Sequence, residues 1–80
     1  MLNNEQIKKL LSMSDEELRK KIADAAVAAG ADKFMTTRAL SDIGRLRGLI
    51  SALDERQVND LLKKIGPDAA SELSKRIGEV

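Results

Sequence analysis

The sequence predicts an all-α protein, a compact irregular or orthogonal bundle of five or six short helices that forms a single domain over residues 1–80. Aliphatic residues recur at the three- and four-residue spacing of a helix face through most of the chain. Asn, Ser, Asp and Gly, which favour helix ends, interrupt these stretches at short intervals. Nowhere do β-branched and aromatic residues alternate over four or more positions, so we expect no strands.

The first two predicted helices begin at capping residues. Asn3, with Gln6 three positions later, predicts a helix whose apolar face carries Ile7, Leu10 and Leu11. Ser14 and Glu17 form a second capping pair. Gly30 is expected to end this second helix in the left-handed conformation. The buried stripe of the second helix is predicted to contain Leu18, Ile22, Ala25, Ala26 and Ala29.

Four shorter helices are expected after this glycine. Asp32 is the predicted cap of the third helix, and Ser41 is predicted to begin the fourth. Asp54 forms a capping box that opens the fifth. Gly66 is expected to close the fifth helix and Pro67 to take the first position of the last, because proline has no amide hydrogen to lose there.

The apolar stripes are expected to close around one aliphatic core, since Phe34 is the only aromatic residue. Phe34 itself is predicted to pack at the centre of that core, and an exposed interface position is the alternative. Gly44 and Gly48, four apart in the fourth helix, indicate an exposed face, with a close helix crossing or a contact with another chain as the alternative. The predicted centre contains Leu18, Ile22, Leu46, Leu49, Ile50, Leu53, Val58, Leu62, Ile65, Leu73 and Ile77.

The composition argues against catalysis and against metal or cofactor binding. The chain contains no Cys and no His, so it lacks thiolate ligands and the usual proton shuttle at neutral pH. It also lacks a glycine-rich phosphate loop and an Asp-rich calcium loop. We therefore expect a protein that is not an enzyme and that needs no cofactor, metal or small-molecule ligand.

Charge and hydropathy indicate a cytoplasmic protein. The sequence shows no basic region followed by an apolar stretch at its start, and no apolar run approaches the roughly 20 residues that span a bilayer. We expect no membrane partner. The 14 Lys and Arg residues against 13 Asp and Glu leave a net charge of +1, which is too even for bulk attraction to nucleic acid.

A candidate interaction patch consists of Met13, Met35, Arg38, Arg45 and Arg47. The three arginines have a single acid between them, Asp42, so their convergence would give a positive patch for an RNA, an acidic protein or a lipid headgroup. A surface without a ligand is the preferred interpretation of these arginines, and a binding patch is the alternative. The two methionines are candidates for a partly exposed apolar contact, and burial in the core is equally open. The predicted function is a non-catalytic protein-interaction module that binds another protein or itself.

Residues 22–41 resemble the helix-turn-helix of LacI-type repressors. The likeness is carried by Ala26 four positions before Gly30, by Asp32 as the cap of a second helix, and by Arg-Ala-Leu at 38–40. DNA binding through residues 22–40 is therefore the alternative function. The resemblance implies that Lys33, Thr37 and Arg38 of the third predicted helix would face the DNA, and it turns Phe34 and Met35 toward the groove as well.

The chain as a whole is similar to small uncharacterised all-helical proteins of Gram-positive, Clostridia-type bacteria. The segments that carry this likeness are residues 13–18, 28–32, 39–42 and 65–68. The resemblance implies a bacterial, cytoplasmic helical domain, and it assigns no site residue.

Overall fold

A computed structural model of the protein describes residues 1–77, apart from the side chain of Met35, and contains six α-helices in that part of the chain. The all-α bundle predicted from the sequence is confirmed, and residues 1–77 form no strand. The helices are α1 (Asn4–Ser12), α2 (Asp15–Ala28), α3 (Lys33–Leu40), α4 (Ile43–Ala52), α5 (Glu55–Ile65) and α6 (Ala69–Ile77).

Side-chain caps set the starts of α1, α2 and α5. Asn3 accepts a hydrogen bond from the amide of Gln6 at 2.8 Å, and the Gln6 side chain accepts one from the Asn3 amide at 3.0 Å. Asp54 and Gln57 exchange the same two bonds at 2.8 and 3.1 Å. The Ser14 hydroxyl accepts from the third amide of α2 at 3.2 Å. These bonds satisfy amides that have no partner within the helix.

The turn between α2 and α3 depends on Gly30, whose φ is +71°. In this left-handed conformation the amide of Ala31 reaches back to the carbonyl of Ala26 at 2.9 Å, and the Gly30 amide reaches Val27 at 3.1 Å. The two bonds form a Schellman motif, which closes α2 and reverses the chain. The predicted left-handed glycine is confirmed.

The start of α4 corrects one prediction. Ser41 does not begin the helix, because α4 starts at Ile43 and its cap is Asp42, which accepts from the amide of Arg45 at 3.1 Å. The hydroxyl of Ser41 donates instead to the carbonyl of Arg38 at 2.7 Å. A serine can serve the end of one helix as well as the start of the next, and the sequence pattern does not distinguish the two uses.

The start of α6 corrects a second prediction. Pro67 does not take the first helical position, because α6 begins two residues later at Ala69. The amide of Ala69 donates to the carbonyl of Gly66 at 3.0 Å, so Pro67 lies inside a tight turn that precedes the helix. Proline suits that position too, since its fixed φ matches the second residue of such a turn.

One aliphatic core is shared by all six helices. The predicted centre is confirmed at Leu18, Ile22, Leu46, Ile50, Val58, Leu62, Leu73 and Ile77, all of which are buried. Leu53 and Ile65 are partly buried and pack against this core. Leu2, which precedes α1, is also buried, although no pattern in the sequence predicts it. The most extensive helix contact joins α2 to α6, and α2 also contacts α3 and α4.

Two predicted core residues are exposed. Leu49 is 42% exposed, because its position lies about 100° around α4 from Ile50, at the edge of the buried stripe. Phe34 is 72% exposed, so its predicted place at the core centre is wrong. Phe34 and Leu40 stand six residues apart, about 240° around a helix, and cannot share one face. The short α3 buries Leu40 and Thr36 instead.

The glycines of α4 lie on an open face. A Cβ added to Gly48 would meet nothing within 4 Å, and one added to Gly44 would meet only an oxygen of Asp42 at 3.8 Å. Neither glycine therefore marks a close helix crossing among the described residues. Gly66 is different, since its Cβ would come within 3.2 Å of the Ala31 side chain.

Candidate functional site

The arginine patch predicted from the sequence is divided by the fold. Arg47 is partly buried, and its Nη1 donates to the carbonyl of Leu11 at 2.7 Å. Its Nη2 donates to the carbonyl of Met13, and its Nε donates to Asp15 at 3.0 Å. The guanidinium is thus engaged at the connection between α1 and α2, where it satisfies carbonyls that end α1.

The other members of that predicted patch differ in their exposure to solvent. Arg38 on α3 and Arg45 on α4 are exposed. Met13 is half-buried and packs against the core. The Met35 side chain lies outside the described residues. The structure therefore brings Met13 and Arg47 together through a main-chain contact, and it leaves Arg38 and Arg45 available at the surface.

A groove between α2 and α3 is the most promising contact surface on the described part of the chain. It has two adjoining sections that share Ala23, Thr37 and Leu40 as lining residues. The section nearer the Gly30 turn has a volume of about 200 Å³ and is also lined by Val27 and Ala31. Most of its lining is therefore apolar, and the small side chains of Ala23 on α2 and Ala31 in the turn leave the space open.

Two large apolar side chains are exposed on the helices that form this groove. Val27 on α2 and Phe34 on α3 are each 72% exposed. Phe34 is three residues from Thr37, so the two are neighbours on the surface of α3. Single exposed apolar residues are common on proteins, but Val27 lines the apolar groove and Phe34 directly follows Lys33, which also lines it, so the two exposed side chains extend the apolar surface of the α2–α3 face.

The groove ends carry positive charge. Arg19 lines the section far from the turn, and Lys33 lines the section near it. None of the described side chains that line either section is a carboxylate. Asp32 and Asp42, at the two ends of α3, direct oxygens to backbone amides of Phe34 and Arg45.

A wider cleft on another side of α2 has a different character. Its volume is about 560 Å³, and its walls carry both charge signs. Lys9, Lys20 and Lys21 face Glu17 and Asp24 there. Lys21 is also engaged, since its Nζ donates to the carbonyl of Arg76 at 3.3 Å and so caps the end of α6. Mixed charge of this kind is typical of a solvated surface.

Comparisons with known proteins identify no relative of this chain. No protein-family model, no curated protein and no solved structure matches the chain. The likenesses to LacI-type helix-turn-helix segments and to Clostridia-type helical proteins therefore stay predictions. Within residues 1–77, no three acidic side chains are grouped so as to hold a metal ion, and no helix is long and apolar enough to cross a membrane.

The groove was not predicted from the sequence, although one signal for it was present. Val27 does not fall on the buried stripe of α2, which passes through Ile22 and Ala26. A valine outside the buried stripe of an amphipathic helix is expected to be exposed. Phe34 could not have been assigned in the same way, because α3 is too short to define a stripe by periodicity.

Proposed function

We propose that this chain is a non-catalytic protein-interaction module whose contact surface is the α2–α3 face, and that it acts in the cytoplasm. The observation that carries the proposal is the exposure of Val27 and Phe34 beside the groove. Aromatic residues are enriched among the residues that dominate binding energy at protein interfaces. The chain has one aromatic residue, and the fold directs it outward.

Burial elsewhere supports the same interpretation. The core of residues 1–77 closes without Phe34, so its side chain contributes little to stability. Replacement by serine is therefore expected to change the free energy of unfolding by less than about 0.5 kcal/mol. A residue that is dispensable for folding can be tested for binding without the complication of an unfolded variant.

Photo-crosslinking tests the proposal. A photoreactive phenylalanine analogue at position 34 is expected to give a specific adduct in the cells that produce the protein. The same analogue at Arg56, an exposed position on α5, is the control and should not give that adduct. The captured protein is then purified. Its affinity should fall by about tenfold or more for Phe34→Ser and Val27→Ser.

Two results would contradict the proposal. One is the absence of any adduct from position 34. The other is an adduct whose purified partner binds wild-type and Phe34→Ser protein equally well. Sedimentation of the pure chain over a range of concentrations shows whether the partner is a second copy, and a dimer that depends on Phe34 would support self-association through this face.

A second candidate function is DNA binding through α2, the Gly30 turn and α3. The observation in its favour is that Lys33, Thr37 and Arg38 are all exposed on α3. Titration of random duplex DNA at several salt concentrations tests it, because each phosphate contact contributes about 0.9 to the salt slope. Salt-dependent binding that is lost in Lys33→Ala and Arg38→Ala would favour this function over the first.

A further inference from the structure

We propose that the α2–α3 groove binds an acidic amphipathic helix of a partner protein, with aliphatic side chains on the groove floor and carboxylates at its two ends. This inference rests on the interaction function proposed above and names the class of partner. The binding surface includes Ala23, Leu40, Arg19 and Lys33 as well as the exposed Val27 and Phe34.

The floor of the groove fits aliphatic side chains. Leu40, at the base of the groove, is 8% exposed, and the opposite wall is formed by the small side chain of Ala23 on α2. The section near the turn measures about 200 Å³. Engineered protein cavities of about 150 Å³ hold a benzene molecule, so this section can hold one or two aliphatic side chains.

The length of the groove fits a helix. Arg19, Ala23 and Val27 occupy successive turns of α2, and the first and last of them are about 12 Å apart along the axis. Anchors at positions i, i+4 and i+7 of a partner helix span a similar distance, about 10 Å. Addition of a strand requires a sheet edge, and residues 1–77 contain no sheet.

The charges select an acidic partner. Arg19 and Lys33 lie at opposite ends of the groove, and its described lining contains no carboxylate. Arg38 adds an exposed cation on α3. Asp24, the acid next to Ala23, lines the wider cleft on another side of α2. Complementary charge sets the specificity and orientation of an interface, so carboxylates at both ends of the partner helix are favoured.

The apolar floor distinguishes a protein from a nucleic acid. Phosphates would meet Arg19 and Lys33, but they would gain nothing from Leu40 and Ala23. The exposed Phe34 would also stand against the charged backbone or the groove of the nucleic acid. Aliphatic side chains of a partner protein, in contrast, can pack against both the apolar floor and Phe34.

Selection from a displayed library of random peptides, about 16 residues long so that helices can form, tests the inference. Enriched peptides are expected to be rich in Asp and Glu, with aliphatic residues at helical spacing. Their affinity should fall about tenfold or more for Ala23→Leu, which fills the groove without a change of charge. The double variant Arg19→Glu/Lys33→Glu should lose acidic peptides and gain binding of matched Lys-containing peptides.

The matched control is Lys63→Glu/Lys64→Glu on the exposed face of α5, which changes the net charge by the same amount and should leave peptide binding intact. Unfolding by urea verifies that each variant is folded. The inference is overturned by a library that yields no enriched peptide, by enriched peptides without an acidic bias, or by binding that survives Ala23→Leu. Direct, salt-dependent binding of random duplex DNA that is lost in the Arg19→Glu/Lys33→Glu variant would overturn it in favour of nucleic acid.

The crosslink from position 34 separates this inference from the proposed function. An adduct that forms equally well in wild-type and Ala23→Leu protein keeps the interaction function and rejects the groove as its site. Loss of the adduct in Ala23→Leu supports both. No adduct in either protein rejects both.

Discussion

Arg47 on α4 donates a hydrogen bond from Nε to Oδ1 of Asp15, the first residue of α2, at 3.0 Å. The same guanidinium donates to the carbonyls of Leu11 and Met13 at the end of α1. One side chain thus joins three helices at a point where α1 leaves carbonyls without helical partners. A planar guanidinium has five N–H donors in a fixed arrangement, so it can bond to several acceptors at once. A lysine ammonium lacks this fixed arrangement.

The carbonyl contacts are expected to contribute more to stability than the ion pair. Asp15 is 61% exposed at its side chain, so water screens the pair, and Asp15→Asn should cost less than about 1 kcal/mol. Arg47→Ala should cost about 2 kcal/mol, because partly buried carbonyls lose charged donors. Urea unfolding measures both, with Arg45→Ala, an exposed arginine two residues away, as the control. An equal loss for Asp15→Asn and Arg47→Ala would contradict this order.

Asn59 holds the residues before α1 against α5. Its Oδ1 accepts from the Leu2 amide at 2.8 Å, and its Nδ2 donates to the Leu2 carbonyl at 2.9 Å. Both residues are buried, so Asn59→Leu should leave two buried backbone groups without partners and cost about 2–3 kcal/mol. Faster hydrogen exchange at the Leu2 amide should accompany the loss. Asp60→Ala, an exposed neighbour, is the control, and an equal effect of both changes would argue against this role.

Two glycines are expected to respond to alanine in opposite directions. Gly48→Ala should stabilise α4 by about 1 kcal/mol, because the new Cβ meets nothing within 4 Å. Gly30→Ala should destabilise the protein by about 1 kcal/mol or more, because φ at that position is +71°. Thermal or urea unfolding distinguishes the two. A loss of stability for Gly48→Ala would indicate that the open face of α4 is covered by another chain.

The sequence could predict those parts of the fold that depend on neighbours within about four residues. The capping box of Asn3 and Gln6 and the Gly30 turn are of this kind, and both are confirmed. The stripe of α2 is confirmed at its buried members, Leu18, Ile22, Ala25 and Ala26, whereas Ala29 is only partly buried. Leu2 and Asn59 are 57 residues apart, and their pairing leaves no periodic signal. For the same reason the partners of Arg47, more than thirty residues away, could not be predicted.

The candidate site was predictable only in outline. The sequence indicated a helical surface with arginines on α3 and α4, and two of them, Arg38 and Arg45, are exposed. The groove depends on how α2 and α3 pack, which a single sequence does not specify. Phe34 was assigned to the core because aromatic residues are usually buried, and an eight-residue helix has too few turns for its periodicity to correct that assignment.

Glu72 on α6 is expected to make stability depend on acidic pH. A side-chain hydrogen bond from Arg76, 2.8 Å from Glu72 Oε2, lowers the pKa of the Glu72 carboxyl, partial burial opposes this shift, and the nearby charge of Lys75 adds to it. Because the folded pKa lies below the unfolded value, the stabilisation is present above the ordinary Glu pKa of about 4.3. It is lost as the pH falls from there through the lowered folded value.

Carbon-13 titration of the Glu72 carboxyl by NMR measures this shift directly. Arg76→Gln should raise the Glu72 pKa toward its ordinary value, because it removes the largest cause of the shift. Lys75→Gln should move it less, since Lys75 lies 3.4 Å away with an exposed side chain. Glu72→Gln should flatten the decline of the unfolding free energy at acidic pH. A larger effect from Lys75→Gln than from Arg76→Gln would contradict the assignment, because the charge of Lys75 rather than the Arg76 hydrogen bond would then control the carboxyl.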